Sequence, residues 1–316
     1  MMQFPTSPAA RGLTLRGNYA TASADYTVSQ AWDDYSEEEH YVWYTLFSRQ
    51  IGLAKAHAAP EFLTGLKMLG TSAEKIPRFS EINRVLAKTT GWRIVAVPGV
   101  IPEKHFFRHL AQRCFPVSVW IREASELDRL IEPDLFHDVF GHVPLLTDPV
   151  FARFLQTYGE AGPQALAHGA LHLLARLYWY SAEFGLIDTS PSHGSSVPGT
   201  STLKACGARI LSSKEETAYS LKSPVPHRLG FDLQRMMQTD YRAEDLQRTY
   251  FVIGSFSEML HALKGADFPA LFERYCDASP ISPSTVLQDD RVISCGTQNP
   301  ASRSLLHHEF GFFRHN

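Results

Sequence analysis

The chain has 316 residues, 44% of them hydrophobic and 20% charged, with a net charge of −3. This is a globular composition whose core needs no covalent staple, and it lacks the charge footprint of a nucleic-acid binder. No apolar run approaches the roughly 20 residues of a membrane-spanning helix, so neither nucleic acid nor membrane is expected as a partner.

Residues 1–33 are rich in Ser, Thr, Ala and Gly, show no sustained apolar period and are expected to be disordered. The opening MMQFPTSPAARG has no apolar stretch of a secretory signal. The four cysteines, Cys114, Cys206, Cys276 and Cys295, form no CxxC pair, which fits a reducing compartment. A cytoplasmic location is the expectation.

An acidic cluster at Asp33–Glu39 leads into YVWYTLFSRQIGLAKAHAAPEFLTGLKML, whose apolar residues recur at helical intervals. IPRFSEINRVLAKTTGW predicts another helix, with Pro77 near its start and Gly91 after its end. WRIVAVPGVIP and FPVSVWIRE read as strands. Residues 134–186 read as helical, with breaks at Gly141–Pro144 and Gly159–Pro163. IDTSPSHGSSVPGTSTLK, residues 187–204, is a long Ser/Pro/Gly loop. RILSS reads as a strand, 231–275 returns to helical periodicity, and the remainder has no heptads. The fold class expected is α+β and mostly α: a disordered segment 1–33, one catalytic domain 34–285, and an irregular or disordered tail 286–316.

The chemistry concentrates in two segments. EPDLFHDVFGHVPLLTDP places His137 and His142 five apart beside Asp134 and Asp138. Imidazole is the commonest metal ligand, yet i and i+5 on a regular helix point about 140° apart. The two rings can share a metal only if the helix distorts or ends between them, and Gly141 and Pro144 permit that. On spacing alone, two hydrogen-bonded core histidines explain the pattern as well. The acidic neighbours favour a metal, because ligating histidines usually donate their second N–H to a carboxylate or carbonyl.

In LHLLARLYWYSAEFGLI, Glu183 sits inside an almost entirely apolar helix, so it must be protonated, paired or metal-bound. Arg176, two turns back, is a possible partner. Two histidines and a carboxylate leave two readings: a facial triad on non-haem Fe(II), or a His2Glu zinc hydrolase. The zinc reading lacks an HExxH motif. The surrounding aromatics (Phe136, Phe140, Tyr178, Trp179, Tyr180, Phe184) suit a planar apolar substrate, although core packing explains part of them.

FHDVFGHVPLL followed by ARLYWYSAEFGLI resembles the pterin-dependent aromatic amino acid hydroxylases. The likeness runs from Trp43 to Leu263 through FLTGLKMLG, EINRVLAKTTGW, VPGVIP, WIREASEL, ILSSKEET and QTDYRAEDLQRTYFVIGSF, in the family's order. Within the family it is most similar to the short bacterial phenylalanine hydroxylases. The resemblance implies Fe(II) held by His137, His142 and Glu183, with tetrahydrobiopterin or a related tetrahydropterin and O2 as co-substrates. It implies that Gly99, Val100 and Ile101 lie along the pterin, that Phe106 stacks on it, and that Asp138 reaches it through water. Arg122 is implied to grip the carboxylate of a small aromatic amino acid, Trp179 and Phe184 to line the ring pocket, and Ser212 to support His137. No catalytic group beyond the metal ligands is expected.

Phenylalanine is the expected substrate, oxidised to tyrosine. Trp179 stands where the tryptophan enzymes tend to have Phe, and Ala243 where an acidic residue helps the tyrosine enzymes. Hydroxylation of tryptophan or tyrosine is the alternative, with zinc hydrolysis or a catalytically dead binding protein behind it. The chain departs from the family in its longer 187–204 loop, in SAEFGL for TVEFGL, and at Arg209, where the family usually has Gly. Arg209 is expected either to narrow the substrate pocket or bind an acid group there, or to point outward. A monomer is expected.

Overall fold

Residues 15–190 and 202–297, apart from 129, 131 and 244, are described in the structure, a computed structural model. A capping box opens the first long helix: Ser36 accepts from the Glu39 amide and Glu39 reaches back to Ser36. That helix is α1 (Glu37–His57), followed by α2 (Pro60–Leu69) and α3 (Phe79–Thr89). Next come β1 (Arg93–Val97), α4 (Glu103–Ala111) and β2 (Cys114–Ser118), with β1 and β2 a parallel pair in register Arg93↔Cys114 to Val97↔Ser118. The crossover through α4 is the connection that parallel strands require.

The long helix α5 (Pro149–Ala167) and the short helix α6 (Leu171–Tyr178) follow, α5 packing on α4 and α6. The predicted break at Gly159–Pro163 is absent: α5 runs through Pro163, and the chain turns only after Ala167. Beyond it lie β3 (Leu186–Asp188), β4 (Leu203–Ala205), α7 (Ala208–Leu211), α8 (Lys214–Lys222), β5 (His227–Gly230), α9 (Leu233–Gln238), β6 (Thr249–Ile253), α10 (Phe256–Gly265), α11 (Phe268–Tyr275) and β7 (Val292–Ser294). The second sheet has the order β4-β3-β6-β5-β7, parallel at its centre and antiparallel at both edges.

Three expectations change here. RILSS is not a strand; it contains the short helix α7. The region 231–275 is interrupted by β6, whose residues are all buried and therefore show no alternation to betray a strand. The ends of the 187–204 loop belong to β3 and β4; residues 191–201 lie outside the described residues.

The two tails also differ from expectation. Residues 15–33 are held against the domain. Arg16 pairs with Glu126, Tyr19 donates to the Val100 carbonyl (2.9 Å), Val28 donates to Ala96 (2.9 Å), and the Trp32 indole donates to Ile76 (2.6 Å). These are long-range bonds from single polar or aromatic residues, so they leave no periodicity in the sequence. In the C-terminal tail, β7 pairs with β5, and Asp290 takes two bonds from Arg235. Residues 1–14 and 298–316 lie outside the described residues.

The apolar core is continuous. Trp43, Phe62, Phe107, Phe115, Phe136, Phe140, Tyr158 and Leu174 are all buried within it. Burying each such large side chain stabilises by about 1.5–3 kcal/mol relative to exposure. Phe136 and Phe140 stack on each other and meet Trp43 and Phe47 of α1 edge-on. They are core residues rather than a substrate wall. Tyr180 likewise faces Phe251 and donates to the Asp240 carbonyl. Among the described residues no helix is long and apolar enough to cross a membrane.

Candidate metal centre

The segments carrying His137, His142 and Glu183 are π-helical turns, His137–His142 and Trp179–Glu183. A π-turn closes hydrogen bonds between i and i+5: Val143 N–H donates to Asp138, and Phe184 N–H donates to Trp179 (2.8 Å). This widened turn is the distortion that the five-residue spacing demanded. It sets the two imidazoles 5.0 Å apart between centroids and nearly perpendicular.

Glu183 faces both rings. Its Oε1 lies 3.1 Å from His142 Nε2 and its Oε2 lies 3.4 Å from His137 Nε2. One ligand atom from each of the three residues falls within 4.8 Å of the other two, and all three side chains are buried. His137 Nε2 and Glu183 Oε2 have no hydrogen-bond partner. Buried, unpartnered acceptors facing one point are what a cation satisfies. The donor set, two imidazoles and a carboxylate without thiolate, fits a non-haem iron triad.

The protonation pattern fits as well. Ser212 donates its hydroxyl proton to the Ala208 carbonyl (2.8 Å), so its oxygen accepts from His137 Nδ1–H (2.9 Å). That fixes the tautomer and leaves a lone pair on Nε2. Burial lowers the His137 pKa to about 3, keeping the ring neutral. Burial pushes the Glu183 carboxyl up, but the two histidines, His142 foremost, reverse this and hold it well below the usual carboxylate range.

The short helix α7 is wedged between the two π-turns. A Cβ on Gly141 would lie 2.9 Å from Ala208, and one on Gly207 only 2.2 Å from the Glu183 carbonyl. Both glycines are needed for this approach, which carries Ser212 to His137.

Asp134 organises the chain just before the first π-turn. Its carboxylate accepts from the Arg122 amide (3.0 Å), Arg122 Nε (2.7 Å), Arg122 Nη2 (2.9 Å) and the His137 amide (2.9 Å). Both side chains are buried. The sequence reading gave Asp134 and Asp138 the second N–H of a histidine. Instead, Asp134 caps the turn and holds Arg122, while Asp138 accepts from the Ser118 amide (2.8 Å) at the end of β2. Burial raises the Asp138 carboxyl to about 7. Arg176 is not the partner of Glu183; it reaches towards the Met237 carbonyl.

Gly99, Val100 and Ile101 form the loop between β1 and α4, with Gly99 buried and the other two half-buried. Phe106 is buried on α4 and meets Tyr178 edge-on at 5.8 Å; Tyr178 in turn lies 6.0 Å from the His142 ring. Trp179 and Phe184 stand 4.6 Å apart beside Glu183. Trp179 stacks on Tyr241 at 4.2 Å and donates to Gln247 (2.9 Å), which is tied to the Arg242 and Asp245 carbonyls. Tyr178 was named among the site aromatics, whereas Tyr241 and Gln247 were missed. Gln247 carries no local signal, because its role depends on a contact 68 positions away.

Comparison with known proteins agrees with this geometry. The profile of the family described as biopterin-dependent aromatic amino acid hydroxylase matches residues 14–277. The chain belongs to that family. It is 48% identical to a phenylalanine-4-hydroxylase of Chromobacterium violaceum over 86% of this chain and 88% of the relative. It is 47% identical to that of Caulobacter vibrioides over 88% and 90%. An iron- and phenylalanine-bound crystal structure of the Chromobacterium violaceum enzyme superposes with a TM-score of 0.79 at 47% identity, covering 86% of this chain and 96% of that one. A cobalt-bound structure of the same enzyme gives 0.81 at 48% identity, covering 86% and 95%.

Two outcomes follow. Ser212→Ala frees the His137 ring and should weaken metal binding by about 10–100-fold, measured by metal titration, without altering the fold. Asp134→Asn breaks a buried pair and should cost about 3–5 kcal/mol in denaturant unfolding at neutral pH. Burial pushes the Asp134 carboxyl up, and Arg122 outweighs it and lowers the pKa. The folded state therefore binds fewer protons than the unfolded chain, and this stability is present above about pH 4 and lost below it. The gap between wild type and variant should narrow on acidification; a constant gap contradicts the pairing.

Proposed function

We propose that the chain is a phenylalanine 4-monooxygenase: it hydroxylates L-phenylalanine to L-tyrosine with O2 and a tetrahydropterin at one Fe(II). The convergence of His137, His142 and Glu183 on one buried point carries this reading. Family membership and the phenylalanine-4-hydroxylase names of its relatives supply the substrate.

Iron bound there, with the reduced pterin, supplies the redox chemistry that activates O2 for attack on an aromatic ring. The protein's share is placement, dryness and charge. His137 and His142 offer imidazole nitrogens and Glu183 a carboxylate oxygen. These three side chains would hold the iron, and no fourth His, Cys, Asp or Glu joins them among the described residues. Arg122, oriented by Asp134, presents its remaining donor face to the substrate carboxylate. Trp179 and Phe184 flank the substrate ring, and Tyr241 with Gln247 keeps Trp179 from turning away. Phe106 gives the pterin an aromatic face, the Gly99–Ile101 backbone runs along it, and Asp138 meets it through water.

Residues 34–285 are the proposed catalytic domain, with residues 15–33 packed onto it. A cytoplasmic location is supported by four free cysteines. Among the described residues the large exposed apolar side chains occur singly or in pairs, Tyr41 with Tyr44 on α1, Met68 on α2, Leu166 on α5, Leu287, and Val292 with Ile293 on β7, which supports a monomer. Light scattering should give one chain's mass; a stable dimer or tetramer contradicts this.

The direct test supplies Fe(II), tetrahydrobiopterin, O2 and an equimolar mixture of phenylalanine, tyrosine and tryptophan. Tyrosine should accumulate at the expense of phenylalanine. Glu183→Gln, which keeps the volume and removes the charge, should lose iron and lower turnover by more than the roughly 10–100-fold expected for an outer partner. Full activity in metal-replete Glu183→Gln overturns the ligand assignment, and hydroxytryptophan as the main product overturns the substrate.

A further inference from the structure

Arg209 is half-buried and turned towards the chain at Leu130. It projects from α7, the helix wedged between the two π-turns, and its Nη2 donates to the Leu130 carbonyl (2.9 Å). Its Nη1 is shut off from solvent and has no hydrogen-bond partner among the described residues. Leu130 and Asp134 belong to the same short stretch of chain. One anchors Arg209 through a carbonyl, and the other anchors Arg122 through a carboxylate. The two guanidinium groups are thus anchored on one short stretch, Leu130 to Asp134, and the Arg122 charge is felt at Arg209.

The charges there do not cancel. Asp134 is saturated by Arg122 and the His137 amide. Glu183 faces the two histidines. Glu216, also near Arg209, accepts from the Tyr250 hydroxyl (2.6 Å), and burial raises its carboxyl to about 7. Burial disfavours the Arg209 charge as well, yet an arginine stays protonated. The half-buried Arg209 is left with a partnerless Nη1 and, among the described residues, no ion pair of its own.

We propose that Arg209 is a second carboxylate-binding residue of the substrate site, its free Nη1 closing on the amino acid carboxylate together with the donors of Arg122 that Asp134 leaves over. This rests on the reading of the substrate as an aromatic amino acid. A carboxylate has about four lone-pair sites and can accept from two guanidinium forks at once. The consequence is a site that selects more strongly for a free carboxylate than Arg122 alone achieves.

The test compares wild type, Arg209→Met, Arg209→Lys and Arg209→Gly in the iron-loaded enzyme. Methionine keeps the length of the side chain and glycine removes it, so misfolding of one variant leaves the other readable. Binding of L-phenylalanine and of L-phenylalaninamide, which lacks the anionic carboxylate, is measured by calorimetry beside steady-state kinetics. The expected result is at least about tenfold weaker binding of phenylalanine and a matching rise in KM for Arg209→Met and Arg209→Gly. Their kcat should stay within about threefold. Binding of the amide should be unchanged, and Arg209→Lys should recover part of the loss. Phenylalanine affinity within twofold of wild type in both variants overturns the proposal. An equal loss for acid and amide overturns it too, assigning Arg209 to packing. If wild type makes no tyrosine, the functional reading has failed instead, a result distinct from either.

Discussion

Two imidazoles five residues apart on one backbone must aim at one point, and an α-helix sends them about 140° apart. Everything around the site serves this constraint. The His137–His142 segment adopts a π-turn, and so does Trp179–Glu183, which turns Glu183 towards the same point. π-turns are rare and are found mostly at functional sites, since their wider hydrogen-bonding ring is less favourable than an α-turn. Here the cost is offset by burial: both segments are enclosed by packed aromatic and aliphatic side chains. α7 locks them together from the third side, an approach possible because Gly141 and Gly207 have no side chains.

Around that frame, polar groups are saturated where they orient something and left open where a ligand is expected. Asp134 accepts four N–H bonds and thereby fixes both the start of the first π-turn and the Arg122 fork. Ser212 passes its own proton to Ala208 and so dictates which nitrogen of His137 is bare. The bare atoms, His137 Nε2 and Glu183 Oε2, face each other across the centre. Each unsatisfied buried polar group costs about 1–3 kcal/mol, and a cation between these two atoms would satisfy both.

Much of this was legible in the sequence. The helices, the β1–β2 pair and the three candidate ligands follow from apolar period, β-branched runs and an isolated carboxylate in an apolar helix. The need for a distortion between His137 and His142 followed from the spacing alone. What was not legible depends on contacts between distant residues. β6 is buried on both faces and reads like part of a helix. RILSS is β-branched enough to suggest a strand, yet it is held as a helix between the π-turns. Residues 15–33 are ordered by single bonds such as Tyr19 to Val100. Asp134 was noticed but given the wrong partner, because nothing local shows that the chain brings Arg122 to it.

The central claim is that His137, His142 and Glu183 hold one iron. Anomalous diffraction from crystals of the Fe(II)-loaded protein, collected on both sides of the iron absorption edge, tests it most directly. The account predicts a single strong edge-dependent peak per chain, bonded to one nitrogen of each histidine and to the Glu183 carboxylate. A peak elsewhere in the chain, or one at this point that lacks any of the three side chains as a ligand, contradicts it.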